Sequence, residues 1–155
     1  MPVIPELRVE GLFTCPYSSR DMLSRQVIQL TAGRGVEGDR YQSGLGTYSC
    51  FSEPGRQLTL ISADAVEAAL PEMKGRTCDL RRNVVLRGCS AETLNSAVGR
   101  TVTIGDAEVF VHRLCVPCVY NQAKNNVPRQ VRCARGAGRR ERRNHNVPSW
   151  CVHAG

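Results

Sequence analysis

Cys115-Val116-Pro117-Cys118 is the part of the sequence whose residue types and spacing most directly suggest chemistry. It follows a run, Glu108–Leu114, that reads as a β-strand. Pro117 holds Val116 extended and leaves Cys118 free to open a turn or helix. There, unsatisfied N–H groups lower a thiol's pKa and favour the thiolate. Arg113 and Lys124 are cations close by in sequence. Four uses fit such a pair: a redox dithiol, half of a zinc site, one functional thiolate with a neighbour, or two buried structural thiols. For zinc, the later Cys133, His145, Cys151 and His153 follow no common ligand spacing. A thioredoxin-like C-x-P-C would sit early, between a strand and a long helix.

Two further groups could hold an anion. Arg34-Gly-Val-Glu37-Gly38-Asp39-Arg40-Tyr41 lies in a glycine-rich passage between Thr31 and Gly55. Glycines let backbone N–H groups approach an anion, and an arginine adds a bidentate fork. Arg81-Arg82-Asn83 precedes the apolar run Val84–Leu86 and offers a second pair of forks. Taken alone, each is equally compatible with a loop salt bridge or a solvated strand entry.

The elements that must position these residues read mostly as strands: Leu7–Leu12, Gln26–Leu30, Gln57–Ile61, Asn83–Leu86, Thr101–Ile104 and Glu108–Leu114. Gly105-Asp106 separates the last two and suits a tight hairpin. Ser62 is placed to cap a helix over Ala63–Leu70, stopped by Pro71, and Ser90 one over Ala91–Val98, stopped by Gly99. Many short strands with two short helices predict a mostly β domain, closed as a barrel because closure removes sheet edges. From Arg132 the sequence loses hydrophobic periodicity and predicts an irregular, solvated tail with no strand. The expected division is a domain over 1–131 and a basic tail over 132–155.

The 155 residues suit one domain, and 41% hydrophobic with 23% charged residues is ordinary for a globular chain. The net charge of +7 is concentrated late: seven arginines from Arg129 to Arg143 face only Glu141. The body is nearly neutral, which argues against a nucleic-acid surface on the folded domain. No stretch is long enough to span a bilayer, and Met1–Phe13 lacks the pattern of a secretory signal. Eight cysteines without an export signal are expected to be reduced in a cytoplasmic setting.

In chain order, Gly35-Val-Glu-Gly-Asp-Arg-Tyr41, Gly46-Thr-Tyr-Ser49, Gln57-Leu-Thr-Leu-Ile61, Arg81-Arg-Asn-Val-Val85, Leu94-Asn95, Gly99-Arg100, Ile104-Gly105-Asp106 and Leu114-Cys-Val-Pro-Cys118 resemble the MOSC domain. That family is named for the C-terminal domain of molybdenum-cofactor sulfurase, and the likeness runs from about Gly11 to Tyr120. The resemblance implies a β-barrel-like fold, akin to the barrel of pyruvate kinase, and a place in molybdenum cofactor chemistry. It matches Cys118 to the cysteine the family generally retains, as a molybdenum ligand or a persulfide sulfur carrier. Cys115 matches a cysteine of one subgroup. Asp39, Arg40, Arg81, Arg82 and Asn83 match polar motifs around the pocket, with arginines expected on the pterin phosphate. Both a cofactor-dependent reductase and a sulfur-transfer protein are implied. Pyridoxal phosphate would enter only through a cysteine desulfurase or sulfurase partner, because Lys74 and Lys124 are the chain's only lysines and neither sits in a Schiff-base context. A molybdoenzyme is the other implied partner. The alternative is a non-catalytic binding or scaffold domain with structural cysteines and a partner-binding basic tail.

Overall fold

The structure, a computed structural model, describes residues 6–51 and 55–115 and the backbone of a strand over 149–154. Nine strands and two α-helices make up these residues. They are β1 (Arg8–Thr14), β2 (Leu23–Arg25), β3 (Leu30–Thr31), β4 (Gly35–Val36), β5 (Leu58–Ser62), α1 (Ala63–Ala69), β6 (Val84–Arg87), α2 (Ala91–Asn95), β7 (Thr101–Ile104), β8 (Ala107–Leu114) and β9 (Ser149–Ala154). Short 3-10 turns over Pro71–Met73 and Thr77–Leu80 complete the crossover from α1 to β6.

Seven strands form one sheet in the order β2-β1-β6-β5-β9-β8-β7, and β3 pairs with β4 separately. Only β5 and β6 run parallel, joined by the α1 crossover, and every other neighbouring pair is antiparallel. These two strands read as nearly unbroken apolar runs because both their faces are covered. Leu58, Leu60, Val84 and Leu86 point into one cluster with Val36, Val109 and Val111. The alternate residues Ile61 and Val85 enter a second cluster with Val66, Leu70 and Met73 beneath α1. Strand periodicity thus splits the interior into two cores either side of one sheet.

Both helix starts follow the expected chemistry. Ser62 accepts from the Ala65 N–H at 3.0 Å, and Ser90 from the Thr93 N–H at 3.1 Å, each satisfying an otherwise orphaned donor. Gly105-Asp106 is a two-residue turn, since Ile104 pairs directly with Ala107.

Three expectations are corrected. Gln26–Leu30 is not a strand: pairing falls instead on Leu23–Arg25 against β1 and on Leu30–Thr31 against β4, where the Arg34 N–H closes a turn onto the Thr31 carbonyl at 2.9 Å. Among the described residues the sheet is not closed, and β2 and β7 are its edges. It is bent nonetheless: a hollow of about 740 Å³ has the β7–β8 turn (Ile104, Asp106) on one side and Ile28 and Leu30 on the other, over Leu12 and Leu58. The third correction concerns the end of the chain. Ser149–Ala154, expected to be irregular, pairs antiparallel with both β5 and β8. The ladders on β5 and β8 supply donors and acceptors to both edges of these six residues, and that outweighs the polar composition of the stretch before them. Residues 116–148, with Cys118 and the arginine run, lie outside the described residues.

Candidate functional site

Four of the residues singled out from the sequence converge, although they come from two segments some forty positions apart. The turn after β4 presents Asp39 and Arg40, and the entry to β6 presents Arg81 and Asn83. All four are buried. The centre is the Asp39 carboxylate, 1% exposed. Its Oδ2 accepts from the Cys15 N–H at 3.1 Å and from Asn83 Nδ2 at 3.2 Å, and Arg40 Nη1 stands 3.4 Å away. Its Oδ1 accepts from the Tyr41 N–H at 3.2 Å. A buried carboxylate is tolerable only with such partners, because desolvating it alone costs several kcal/mol.

Local sequence explains how the turn forms. Gly38 has φ +76°, a left-handed conformation that lets the chain reverse so that the Asp39 N–H reaches the Val36 carbonyl at 3.1 Å. The Arg40 N–H then bonds the Cys15 carbonyl at 2.8 Å, fixing the turn against the end of β1. Arg40 lies over the Tyr41 ring with Cζ 5.0 Å from its centroid. A Cβ at position 46 would lie 2.4 Å from the same ring, so only glycine admits Tyr41 there. Burial pushes the Tyr41 hydroxyl above its ordinary pKa, against the pull of Arg40 and Arg56, so it is neutral at physiological pH.

Asn83 is the bridge. Its Oδ1 accepts from the Thr59 N–H at 3.1 Å and from Thr59 Oγ1 at 2.9 Å, while Nδ2 donates to the Phe13 carbonyl at 3.1 Å as well as to Asp39. Two donors and two acceptors are thereby matched, the full capacity of a carboxamide. Asn83 therefore positions Asp39 and joins β1, β5 and β6.

Arg81 closes the cluster from the other side. It follows the Thr77–Leu80 turn in a left-handed conformation, φ 61°, rare for a residue with a side chain. Its guanidinium is directed inward, and the residue is 7% exposed. Nη1 donates to the Arg20 carbonyl and Nη2 approaches Cys15 Sγ at 3.8 Å. Both acceptors that this cation meets among the described residues are neutral. Arg40 differs, having the Asp39 carboxylate beside it and Met22 Sδ at 3.7 Å.

The other expected residues are placed differently. Arg82 is half-buried and takes no part in the bonds above. Cys115 is half-buried just past β8, and Cys118 lies outside the described residues. Cys15, which the sequence reading passed over, is fully buried at the heart of the cluster, with Sγ 2.9 Å from the Tyr17 carbonyl. Its only sequence signal is its place between the end of a strand and Pro16. Two other thiols are poor nucleophiles: burial pushes Cys78 up, helped by Asp79, and burial pushes Cys89 up, helped by Asp64.

Two buried guanidiniums make a donor set suited to a phosphate or similar oxyanion. Among the described residues, no group of three or more His, Cys, Asp or Glu could hold a metal ion. The phosphate end of a pterin cofactor would meet Arg81 and Arg40 here, beside the Asp39 carboxylate. No helix among the described residues is long and apolar enough to cross a membrane.

No family model matches this chain, and no curated protein does. Solved structures share its fold. One, described only as a hypothetical protein, superposes with a TM-score of 0.61 at 15% identity, over 96% of this chain and 60% of its own. Another is YiiM from Escherichia coli, with a TM-score of 0.55 at 15% identity, over 95% of this chain and 62% of its own. The chain thus spans about three fifths of each. At this identity the likeness is one of fold alone.

Proposed function

We propose that this chain is a MOSC-type domain that binds an anionic, phosphate-bearing cofactor through Arg81 and Arg40 and works on sulfur or molybdenum through Cys118. The observation that carries the reading is the Arg81 guanidinium, buried, strained at its backbone and facing only neutral acceptors among the described residues. A buried cation without a counter-ion is costly, and such costs concentrate where a ligand supplies the missing charge. Asn83 and Asp39 hold the ends of β1 and β6 and the Arg40 turn in register, so the two forks are fixed before any ligand arrives.

Arg81 and Arg40 would grip the phosphate of a molybdopterin, and the Cys118 thiolate would complete the metal's sulfur ligands. When bound, the cofactor supplies two-electron redox chemistry at molybdenum. In the sulfur-carrier form of the same reading, the Cys118 thiolate attacks the terminal sulfur of a donor's persulfide. The donor's S–S bond breaks and its thiolate leaves, so sulfur is transferred with no outside oxidant. A pyridoxal-phosphate-dependent sulfurase or desulfurase partner is the source suited to that step, and a molybdoenzyme the suited recipient.

Native mass spectrometry with metal analysis on anaerobically purified protein tests this. Molybdenum with pterin, or sulfur added at Cys118 and lost in Cys118→Ala, supports the reading. A clean apo mass, unchanged by incubation with cofactor or sulfur donor, overturns it in favour of a scaffold domain.

A further inference from the structure

We propose that the free edge of β7 is a dimer interface, along which two copies of this chain pair antiparallel about a two-fold axis at Thr103. No residue of the Asp39 cluster takes part. β7 ends the seven-stranded sheet, with β8 on one side and no strand of the described residues on the other. Its pairing with β8 fixes which backbone groups that edge presents. Ile104 and Ala107 face each other across the two-residue turn and so exchange hydrogen bonds, as do Val102 and Val109 two places on. The Val111 N–H continues the same phase to the Arg100 carbonyl at 2.9 Å. The N–H and C=O groups of Thr101 and Thr103 therefore point away from β8.

Nothing within the strand guards that edge. Natural edges carry a proline, a lysine or a bulge. Thr101-Val102-Thr103-Ile104 is uncharged, β-branched throughout and in unbroken register with β8. The flanking charges are what select a second copy as the partner. Arg100 lies three residues before Thr103 and Asp106 three after. Both are exposed, and neither makes an ion pair among the described residues. An antiparallel register centred on Thr103 lets that residue exchange bonds with its own copy and sets each Arg100 opposite the copy's Asp106. Directly opposed residues share a face. The two Thr103 side chains thus meet on the exposed face, and each Val102 meets the copy's Ile104 on the core face, where both are only half-buried. Parallel pairing would set like charges abreast instead. An interface this short predicts a dimer in exchange with monomer, not an obligate one.

Sedimentation velocity on the full chain, kept reduced and run from low micromolar to near millimolar concentration, tests this. The wild type is expected to rise from the one-chain mass towards the two-chain mass. Arg100→Glu and Asp106→Arg, each alone, oppose like charges and are expected to raise the dissociation constant about tenfold or more. Combined, they exchange the two signs and are expected to restore it to within about threefold of wild type. Thr103→Pro removes an N–H that β8 does not use, and is expected to abolish the dimer while keeping the wild-type circular dichroism spectrum. Should that variant fail to fold, the charge exchange still decides. A wild type that stays monomeric throughout, or a mass that climbs past two chains, overturns the proposal. So does a dimer that the single charge variants leave unchanged, or a combined variant no tighter than either one.

Discussion

The Asn83 side-chain amide donates to Asp39 Oδ2 at 3.2 Å, and this bond joins the entry of β6 to the turn after β4. Through Thr59 and the Phe13 carbonyl the same side chain also engages β5 and β1. One carboxamide thus ties three strands of the sheet to the loop that carries Arg40.

Asn83→Ala is expected to leave the Asp39 carboxylate, the Thr59 N–H and the Phe13 carbonyl each short of a partner. Losing buried partners of this kind costs about 1–3 kcal/mol apiece where water cannot replace them. Urea denaturation should show a loss of at least about 2 kcal/mol. A loss within error of zero would mean that Asn83 does not organise the site.

Removing the charge of Asp39 should cost more than removing the pair. Asp39→Asn leaves the largely buried Arg40 guanidinium without its counter-ion, and breaking a buried pair costs about 3–5 kcal/mol. Asp39→Asn with Arg40→Met is expected to recover part of that loss in a double-mutant cycle. Strictly additive losses would count against coupling between the two.

Acid sensitivity should trace to Arg87, which meets Glu10, Asp64 and Glu67 and so joins β1, β6 and α1. For Asp64, burial opposes ionisation, but hydrogen bonds from Arg87 and the Gly88 and Cys89 N–H groups win, and the carboxyl lies below its ordinary 3.8. For Glu67 the Arg87 hydrogen bond dominates and holds the carboxyl below 4.5. Both folded-state values are depressed, so their stabilisation is complete above the unfolded values and fades as pH falls through the folded ones. Melting temperature should therefore fall from about pH 5 downward, and the fall should be shallower in Arg87→Met. Parallel curves for the two proteins would show that these carboxylates are not responsible.

Thiol reactivity should divide by environment. Cys78 and Cys89, pushed up by burial and a neighbouring carboxylate, are expected to react slowly with iodoacetamide at neutral pH. Of these three, the exposed Cys50 should react first. Residue-resolved mass spectrometry gives the order, and Cys89 reacting as fast as Cys50 would contradict it.

Local features were readable from the amino acids alone. Thr101–Ile104 and the run after it alternate around Gly105-Asp106, and they pair as that pattern requires. Ser62 and Ser90 cap helices because a side-chain oxygen three residues before an N–H is a short-range arrangement. The convergence of Asp39 with Asn83 depends on register between distant strands, which no local pattern encodes, and it was anticipated only through likeness to the MOSC motifs. Cys15 escaped notice because a thiol before proline resembles any strand end. Full barrel closure, expected from many short strands, is not found among the described residues: short strands have two ways to manage their edges, and here a three-residue β2 and a bent sheet stand in for it.

The placement of β9 has a consequence for how the molecule is made. Ser149–Ala154 separates β5 from β8, so the ladder to its left holds four strands and the ladder to its right a lone hairpin. During synthesis those two pieces emerge first and must wait, each with an open flank, for the segment that zips them together. A ribosome stalled before Ser149 would present two sticky half-sheets, and chaperone demand should peak in that interval.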